Sequence, residues 1–284
     1  ERAAKMKKIA LNLLSVATPY SGAAVYSLNV LKHLNILATD WHCRLKIEFI
    51  IFADLRLRAN IESLNLSAEF FKVEYFAFNN RLHRIYFEQL VFPKILRRVK
   101  PEILHSFANI LPIIYKARQF LTLQDIMFIL FPCRYTFFKN LYYRWFIPKS
   151  IKSAELIFTP TLTTSHDILK YYPNANGKII TIPCSFNALL TNEFNDKNAE
   201  IAILNKLNIQ ERNYLLFVGT REPGKNIGFL IEIMKNLPAN IDIKLIIVGS
   251  SGWKTKTELA AASENIVFLN NLNFDELSVV YQNA

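Results

Sequence analysis

Short apolar segments typical of β-strands alternate along this chain with segments in which apolar residues recur at helical spacing. KKIALNLL (7–14) and IKLIIVG (243–249) are examples of the strand-like runs. GAAVYSLNVLKHL (22–34) has the periodicity of an amphipathic helix, with Ser21 as its predicted N-cap. Strands joined through helices lie parallel in one sheet, and such sheets are covered by helices on both faces. The alternation therefore predicts an α/β fold with doubly wound parallel sheets.

The alternation is interrupted once, between Cys184 and Asn213. This stretch is rich in Asn, lacks Gly and Pro, and contains one short helical pattern at 199–207. We predict a first domain at 1–184, an interdomain connection at 185–213 and a second domain at 214–284. The second domain has only the strand-like runs YLLFV, IKLIIV and NIVFL, about half the usual number, so it is predicted to be incomplete. Ligands of such folds bind outside the carboxyl ends of the strands.

The basic residues are concentrated in the first two thirds of the chain. Residues 1–190 contain 25 Lys and Arg against 12 Asp and Glu, a net charge of +13, whereas residues 191–284 contain 9 against 11, a net charge of −2. This asymmetry predicts an acidic partner, which is a phosphorylated substrate, an anionic membrane surface or nucleic acid. Nucleic acid is disfavoured because no helix-turn-helix or RNA-binding signature accompanies the charge. The alternative is a solvated basic surface without a partner.

Two predicted helices combine basic and aromatic residues. They are RIYFEQLVFPKILRRVK (84–100), interrupted by Pro93, and FFKNLYYRWFIPKSIKSA (137–154). The segments RRVKP and RYTFFKNLYYRWFIPKSIK have the composition of a monotopic membrane contact, although their aromatic residues could instead belong to the core. No run approaches the roughly 20 apolar residues that span a bilayer. We predict a cytoplasmic protein, peripheral on the inner face of the membrane.

The cysteine and histidine residues do not indicate a metal site. Cys43, Cys133 and Cys184 are an odd number without metal-ligand spacing, which predicts reduced, buried thiols. The histidines are scattered, and packing or surface positions are expected for them. His105, at the end of a predicted strand, is the one that could have another role.

The segment LLFVGTREPGKNIGFLIEIMKNL (215–237) has the spacing of a phosphate loop, with Gly219 and, after four residues, Gly224-Lys225. A nucleoside triphosphatase needs Ser or Thr next, to hold Mg²⁺, whereas this chain has Asn226. Pro223 also removes one backbone N–H from the loop. What remains is a lysine and a helix N-terminus, which together can bind a phosphate without metal. The alternative is a strand-to-helix turn with an exposed lysine.

Six segments resemble retaining GT-B glycosyltransferases of family 4. LLFVGTREPGKNIGFLIEIMKNLP, LIIVGSSGWK and NIVFLNNLNFDELSVVYQNA are similar to the donor-binding half of these enzymes. FEQLVFPKILRRVKPEILHSFAN, TLQDIMFILFP and FIPKSIKSAELIFTPTLTTSHDILKYY are similar to their acceptor-side domain, in matching order. The resemblance implies two Rossmann-like domains facing across a cleft. It also implies transfer of a sugar, with retention of configuration, from a nucleotide-diphosphate donor to a saccharide or lipid-linked acceptor, with no cofactor and no metal.

The resemblance also implies roles for individual residues on the donor side. Lys225 would neutralise the leaving diphosphate. The other positions implied to contact the donor phosphates are Gly219, Thr220, Arg221, Ser21 and Gly22, and those near the nucleotide base are Gly249 and Ser250.

On the acceptor side the resemblance implies catalytic positions at Gln124 and Asp125, where the family commonly has His-Asp. Asp125 would orient a sugar hydroxyl or the acceptor, and Gln124 would hydrogen-bond the transferred sugar. A neutral amide cannot act as a general acid or base, so any step that needs imidazole there is excluded. The alternative for Asp125 is a cap on the following turn.

In the resembling enzymes, the segment equivalent to FDELSVVYQNA (274–284) leads into an element with two glutamates eight residues apart. This chain ends at Ala284, and no glutamate pair with that spacing occurs in it. We therefore expect a portion of a longer protein that binds diphosphate weakly and does not transfer sugar by itself. The alternatives are a short member completed by a partner chain and a non-catalytic nucleotide-sugar-binding module.

Overall fold

The computed structural model describes residues 6–16, 21–41, 46–184, 196–209, 214–238, 241, 243–250, 265–270 and 272–284. The chain divides into two compact units, Glu1–Ser185 and Phe186–Ala284.

The first unit contains a seven-stranded sheet. Its strands are β1 (Lys7–Leu13), β2 (Ile47–Asp54), β3 (Phe71–Phe76), β4 (Ile103–Ser106), β5 (Arg118–Thr122), β6 (Leu156–Thr159) and β7 (Ile179–Thr181). Its helices are α1 (Gly22–Trp41), α2 (Arg58–Glu62), α3 (Arg81–Tyr86), α4 (Phe92–Val99), α5 (Met127–Leu130), α6 (Phe137–Ser153) and α7 (Leu162–Tyr171). All neighbouring strands in this sheet pair in parallel, as the alternation predicts.

The strand order of this sheet is β3-β2-β1-β4-β5-β6-β7. The order changes direction at β1, which pairs with β2 on one side and with β4 on the other. The crevice outside the carboxyl ends of β1 and β4 is therefore the switch point, where open α/β sheets bind their ligands.

Successive residues of a buried strand point to opposite faces, so a strand covered on both faces is apolar throughout. On one face of the first sheet, Leu11 and Ile51 pack with Leu31 of α1. On the other face, Ala10 and Ile50 belong to a second cluster built with helix α4. Ser21 accepts a hydrogen bond from the backbone N–H of Ala24 at 3.3 Å, which confirms it as the N-cap of α1.

The helix that the sequence places across Pro93 is divided into α3, a π-helical turn at Phe87–Val91 and α4. Proline has no N–H, so the usual bond to the fourth preceding carbonyl is absent at this position. The N–H of Phe92 donates to the carbonyl of Phe87, five residues back, and the chain remains helical through the irregularity.

The second unit has a smaller parallel sheet with the order β10-β9-β8. Its strands are β8 (Tyr214–Val218), β9 (Lys244–Val248) and β10 (Ile266–Leu269), and its helices are α8 (Lys197–Lys206), α9 (Ile227–Lys235) and α10 (Phe274–Gln282). Helix α8, which lies in the stretch interpreted as the connection, packs with α10 through Leu204 and Val279. The helix predicted near Lys256 to Ala262 lies outside the described residues.

The prediction of buried thiols is wrong for Cys133 and Cys184, which are exposed and form no disulfide. Cys133 lies in a short turn, Pro132–Arg134, and Cys184 follows the end of β7, so neither occupies a core-facing position of a helix or strand. Cys43 lies outside the described residues. Among the helices that the structure describes, none combines the length and hydrophobicity needed to cross a bilayer.

Candidate functional site

A network of buried polar side chains occupies the switch point of the first sheet. Asn12 of β1 lies opposite Ser106 of β4 in the sheet register. The Asn12 Nδ2 atom donates to Ser106 Oγ at 3.0 Å and to Glu88 Oε1 at 3.2 Å. Asn12 Oδ1 accepts from the backbone N–H of Leu14 at 3.0 Å. One asparagine therefore fixes the start of the β1 loop and joins it to β4.

Glu88 is the centre of this network. It is fully buried, and its carboxylate accepts from the Ser15 hydroxyl at 2.8–2.9 Å as well as from Asn12. Arg84 Nη1 donates to the same carboxylate at 3.1 Å and also to Ser15 Oγ. Burial raises the pKa of Glu88, an effect that the Arg84 charge and the hydrogen bonds from Ser15 and Asn12 oppose. The sequence analysis did not identify any of these residues as part of the site.

The π turn explains how two consecutive polar residues of one helix both point into the interior. Glu88 reaches the loop after β1, while the Gln89 side chain donates to the Leu111 carbonyl at 3.1 Å and accepts from the Ile113 N–H at 3.0 Å. The two residues therefore hold the loops that follow β1 and β4, on either side of the switch point. Such π turns are frequent at functional sites.

The predicted catalytic pair lies in the loop after β5, at the same edge of the sheet. Asp125 Oδ1 accepts from the Met127 N–H at 2.9 Å, the capping contact named as the alternative for this residue. The backbone N–H of Gln124 donates to Asn109 Oδ1 at 2.9 Å. Its side-chain Nε2 is buried and makes no hydrogen bond to any described residue.

Tyr143 of α6 links the β5 loop electrostatically to the network at the switch point. Burial raises its pKa, and its hydroxyl also interacts with the charges of Arg81, Arg84, Asp125 and Glu88. Asp125 and the Arg84–Glu88 pair therefore both lie within electrostatic range of Tyr143, at the carboxyl edge of the first sheet. Ser21 and Gly22 lie at the N-terminus of α1, the helix that follows β1.

In the second unit, the loop from Gly219 to Lys225 connects β8 to α9. Lys225 closes a short turn in which its N–H donates to the Glu222 carbonyl at 2.9 Å, and its side chain is exposed. Asn226 has a left-handed backbone, with φ of 53°, and its side chain does not cap α9. An exposed lysine therefore lies beside a helix N-terminus whose first amides have no side-chain cap.

Arg221 joins the loops that follow β8, β9 and β10. Its N–H donates to the Ser250 carbonyl at 3.0 Å, and its Nη2 donates to Asn270 Oδ1 at 3.0 Å. The guanidinium carbon lies 5.1 Å from the ring centre of Phe268, and Arg221 is 2% exposed. The structure thus brings Arg221 next to Ser250, and it adds Asn270, which the sequence analysis did not identify.

Gly249 and Gly219 lie in direct contact at the ends of neighbouring strands. The backbone of Gly249 has φ of +151°, and a Cβ there would lie 2.0 Å from the Gly219 carbonyl oxygen. Only glycine fits at Gly249, because any side chain would separate the two loops. Thr220 lies between Gly219 and Arg221 in the same loop.

His105 belongs to a different feature, an apolar cavity of about 430 Å³ between α1 and one face of the first sheet. Burial lowers the pKa of His105 to about 3, so its ring is neutral at physiological pH. The ring packs on Phe107 at 4.3 Å between centroids and makes a 2.8 Å hydrogen bond with Thr122 Oγ1. His105 therefore has a packing position. Among the described residues, no group of three or more His, Cys, Asp or Glu is arranged to hold a metal ion.

Residues 200–284 match the family described as Glycosyl transferases group 1. The match contains the Gly219–Lys225 loop, Gly249, Ser250 and Asn270. The polar edge of the second sheet therefore lies within the segment that matches this family model.

Among curated proteins, the chain is 24% identical over 170 residues to the O-antigen chain mannosyltransferase RfbU of Salmonella typhimurium. The aligned segment covers 58% of this chain and 43% of that protein. The chain spans less than half the length of the curated relatives it matches.

Solved structures share the fold at low sequence identity. Anabaena Alr3699/HepE, solved with UDP and glucose, superposes with a TM-score of 0.65 at 15% identity, covering 96% of this chain and 71% of the other. UDP-N-acetylglucosamine 2-epimerase from Rickettsia bellii superposes with a TM-score of 0.59 at 13% sequence identity, covering 99% of this chain and 73% of the epimerase. The likeness confirms the predicted GT-B fold class, with a Rossmann-like sheet in each unit and three described strands in the second. Because transferases and epimerases share this fold, the fold by itself does not assign an activity.

Proposed function

We propose that this protein is a retaining, metal-independent glycosyltransferase that moves a sugar from a nucleotide-diphosphate donor to a saccharide or lipid-linked acceptor of the cell-envelope polysaccharide or lipopolysaccharide type. The observation that carries the proposal is the loop at the end of β8, where Lys225 is exposed beside the N-terminus of α9. The family match of this unit and the presence of UDP and glucose in HepE support the same assignment.

The proposed role of Lys225 is to neutralise the departing diphosphate. A charge-assisted hydrogen bond and the helix dipole both favour negative charge at this position, so the loop itself can supply the stabilisation that a metal ion supplies elsewhere. The close approach of Gly219 and Gly249 keeps the ends of β8 and β9 together. Arg221 joins the loops that follow β8, β9 and β10 through its contacts with Ser250 and Asn270. The base of the nucleotide is assigned to the side of Gly249 and Ser250.

On the acceptor side, the proposal assigns Asp125 to orient a sugar hydroxyl and Gln124 to donate a hydrogen bond to the transferred sugar. The buried Gln124 Nε2, which has no partner among the described residues, supports this assignment. We also place the protein on the cytoplasmic side of the membrane, as a peripheral protein at the inner face. The name of the Salmonella relative, an O-antigen chain mannosyltransferase, supports an envelope saccharide as the acceptor.

Titration with UDP and GDP in the presence of EDTA tests the donor site. We expect binding without metal and a loss of about 1.5–3 kcal/mol for Lys225→Ala, which is roughly a tenfold to hundredfold weaker Kd. Lys235→Ala is the matched control, because Lys235 is an exposed cation at the far end of the same helix. An equal Kd for Lys225→Ala and the wild type would contradict the proposal.

A second candidate function is nucleotide-sugar binding without transfer. It is favoured by Gln124, since an amide at this position cannot carry a proton in the reaction. A screen of nucleotide sugars separates the two functions, because a binding module retains UDP or GDP affinity but releases no nucleotide from any donor.

A further inference from the structure

Helix α6 exposes large apolar side chains on the side opposite its packed face. Phe137, Phe138, Leu141 and Trp145 are 76%, 81%, 55% and 60% exposed. At 100° per residue, these four positions lie within an arc of about 100°. We call them the α6 stripe. Soluble proteins rarely leave such a contiguous patch without a partner.

The opposite side of α6 is fixed to the core of the first unit. Ile147 and Ile151 are fully buried in the cluster that also contains Leu121 of β5 and Ile157 of β6. Ser150, on the same side, accepts from the Leu111 N–H at 2.9 Å. The helix is therefore held firmly to the sheet, and the α6 stripe is a fixed surface of a folded element.

Only cations border the α6 stripe along the chain. The segment from Ile126 to Ala154 contains no Asp or Glu and has five basic residues: Arg134, Lys139, Arg144, Lys149 and Lys152. Lys149 Nζ lies 3.3 Å from the ring centre of Trp145, and Arg144, which is exposed, donates to Asn140 at 2.9 Å. Long basic side chains at the edge of an apolar stripe can reach lipid phosphates while their stems cover apolar surface.

We propose that the α6 stripe, with Arg144 and Lys149 at its border, inserts into the headgroup region of an anionic lipid bilayer. Aromatic and leucine side chains on one face, flanked by Lys and Arg, are typical of a helix that lies in the interface plane. The positive charge matches an anionic leaflet, which attracts each nearby basic residue. The proposal supplies the residues for the peripheral location in the proposed function, but it does not depend on sugar transfer.

The experiment is cosedimentation of the full chain with vesicles of phosphatidylcholine in which about a third of the lipid is phosphatidylglycerol. We expect binding to these vesicles at least about tenfold stronger than to pure phosphatidylcholine. Raising NaCl from about 0.1 M to about 0.5 M should weaken the binding, because salt screens the attraction.

Two double variants test the residues. Phe137→Ser with Trp145→Ser should lower the partition coefficient at least about tenfold, because it removes apolar side chains from the interface. Arg144→Glu with Lys149→Glu should weaken binding to anionic vesicles only. The matched control is Phe229→Ser with Phe274→Ser, which removes exposed phenylalanines of the second unit and should bind like the wild type.

The stripe variant should keep the thermal midpoint and the UDP affinity of the wild type, since the altered side chains are exposed. Lack of UDP binding by the wild type would count against the proposed function and not against the vesicle result. Equal vesicle binding by the stripe variant and the wild type would overturn the proposal, as would equal binding to neutral lipid. A wild-type dimer that the stripe variant converts to a monomer, or stripe-dependent binding of a single-stranded oligonucleotide in place of vesicles, would also overturn it.

Discussion

Arg84 and Glu88 form an ion pair of 3.1 Å in which the carboxylate is fully buried and the guanidinium side chain is 12% exposed. Through Ser15 and Asn12, this pair holds the loop after β1 at the switch point of the first sheet. Taking two charges out of water is costly, so a buried pair contributes little net stability compared with apolar replacements. What the pair supplies instead is a fixed position for the loop after β1.

Arg84→Met should lower the free energy of unfolding by about 3–5 kcal/mol, because Glu88 would remain buried without its cation. The double variant Arg84→Met with Glu88→Gln should recover most of this loss, since a neutral amide can still accept the Ser15 hydrogen bond. Urea unfolding of the single and double variants measures both effects.

The control for this cycle is Arg58→Met, which removes a partner from the exposed Arg58–Glu62 pair with the same spacing along a helix. It should change stability by less than about 1 kcal/mol. Equal losses for Arg84→Met and Arg58→Met would show that burial of the Glu88 charge is not important for stability.

Gly249→Ala should destabilise the second unit by more than about 2 kcal/mol, through steric conflict and an unfavourable backbone. The added Cβ would lie 2.0 Å from the Gly219 carbonyl oxygen, at a φ of +151°. UDP affinity should fall with it, because the β8 loop would be displaced. Gly228→Ala is the matched control, since a Cβ in that helix has no neighbour within 4 Å. Comparable thermal midpoints for the two variants would contradict the close approach of the loops.

His105 should make the first unit sensitive to acid. Burial lowers its pKa from 6.5 to about 3, so the unfolded chain binds a proton below pH 6.5 that the folded chain does not. The stability linked to this group is present above pH 6.5 and is lost as the pH falls toward 3, at about 1.4 kcal/mol per pH unit. Urea unfolding at pH 7 and pH 5 measures this effect. Between these pH values, the free energy of unfolding should fall by about 2 kcal/mol more for the wild type than for His105→Gln. The control is His166→Gln, at an exposed histidine. Between pH 7 and pH 5, this variant should lose as much free energy of unfolding as the wild type.

Local sequence patterns were sufficient for the strands of the first sheet and for the start of α1, but not for the division of the 84–100 helix at its π-helical turn. Apolar runs predicted the strands because a strand in a doubly covered parallel sheet is buried on both faces, as Ala10 and Leu11 of β1 are. The Ser21 cap was also predictable, because capping uses residues adjacent in the chain. The exposed Cys133 was not predicted, since exposure in a turn depends on neighbours that periodicity does not specify.

The polar network at the switch point could not be predicted in the same way. Glu88 contacts Asn12 across 76 residues of sequence, and a glutamate in a helical pattern is normally assigned to the solvent side. The available signal was the position of Glu88 and Gln89 inside the apolar stretch IYFEQLVF, directly before Pro93. Arg221 and Asn270 are similarly separated, by 49 residues, so their pairing depends on the order of the strands.

The central position of β1 also determines when the first unit can fold during synthesis. Asn12 is made before its hydrogen-bonding partner Ser106, which lies 94 residues later in the chain. At roughly 5–20 residues per second, a ribosome needs on the order of 5–20 s to cover that interval. During this time β1 can pair only with β2, so its other edge remains without its native neighbour. The nascent chain therefore carries an unpaired edge of β1 until β4 emerges, and slower translation between β2 and β4 would prolong that exposure.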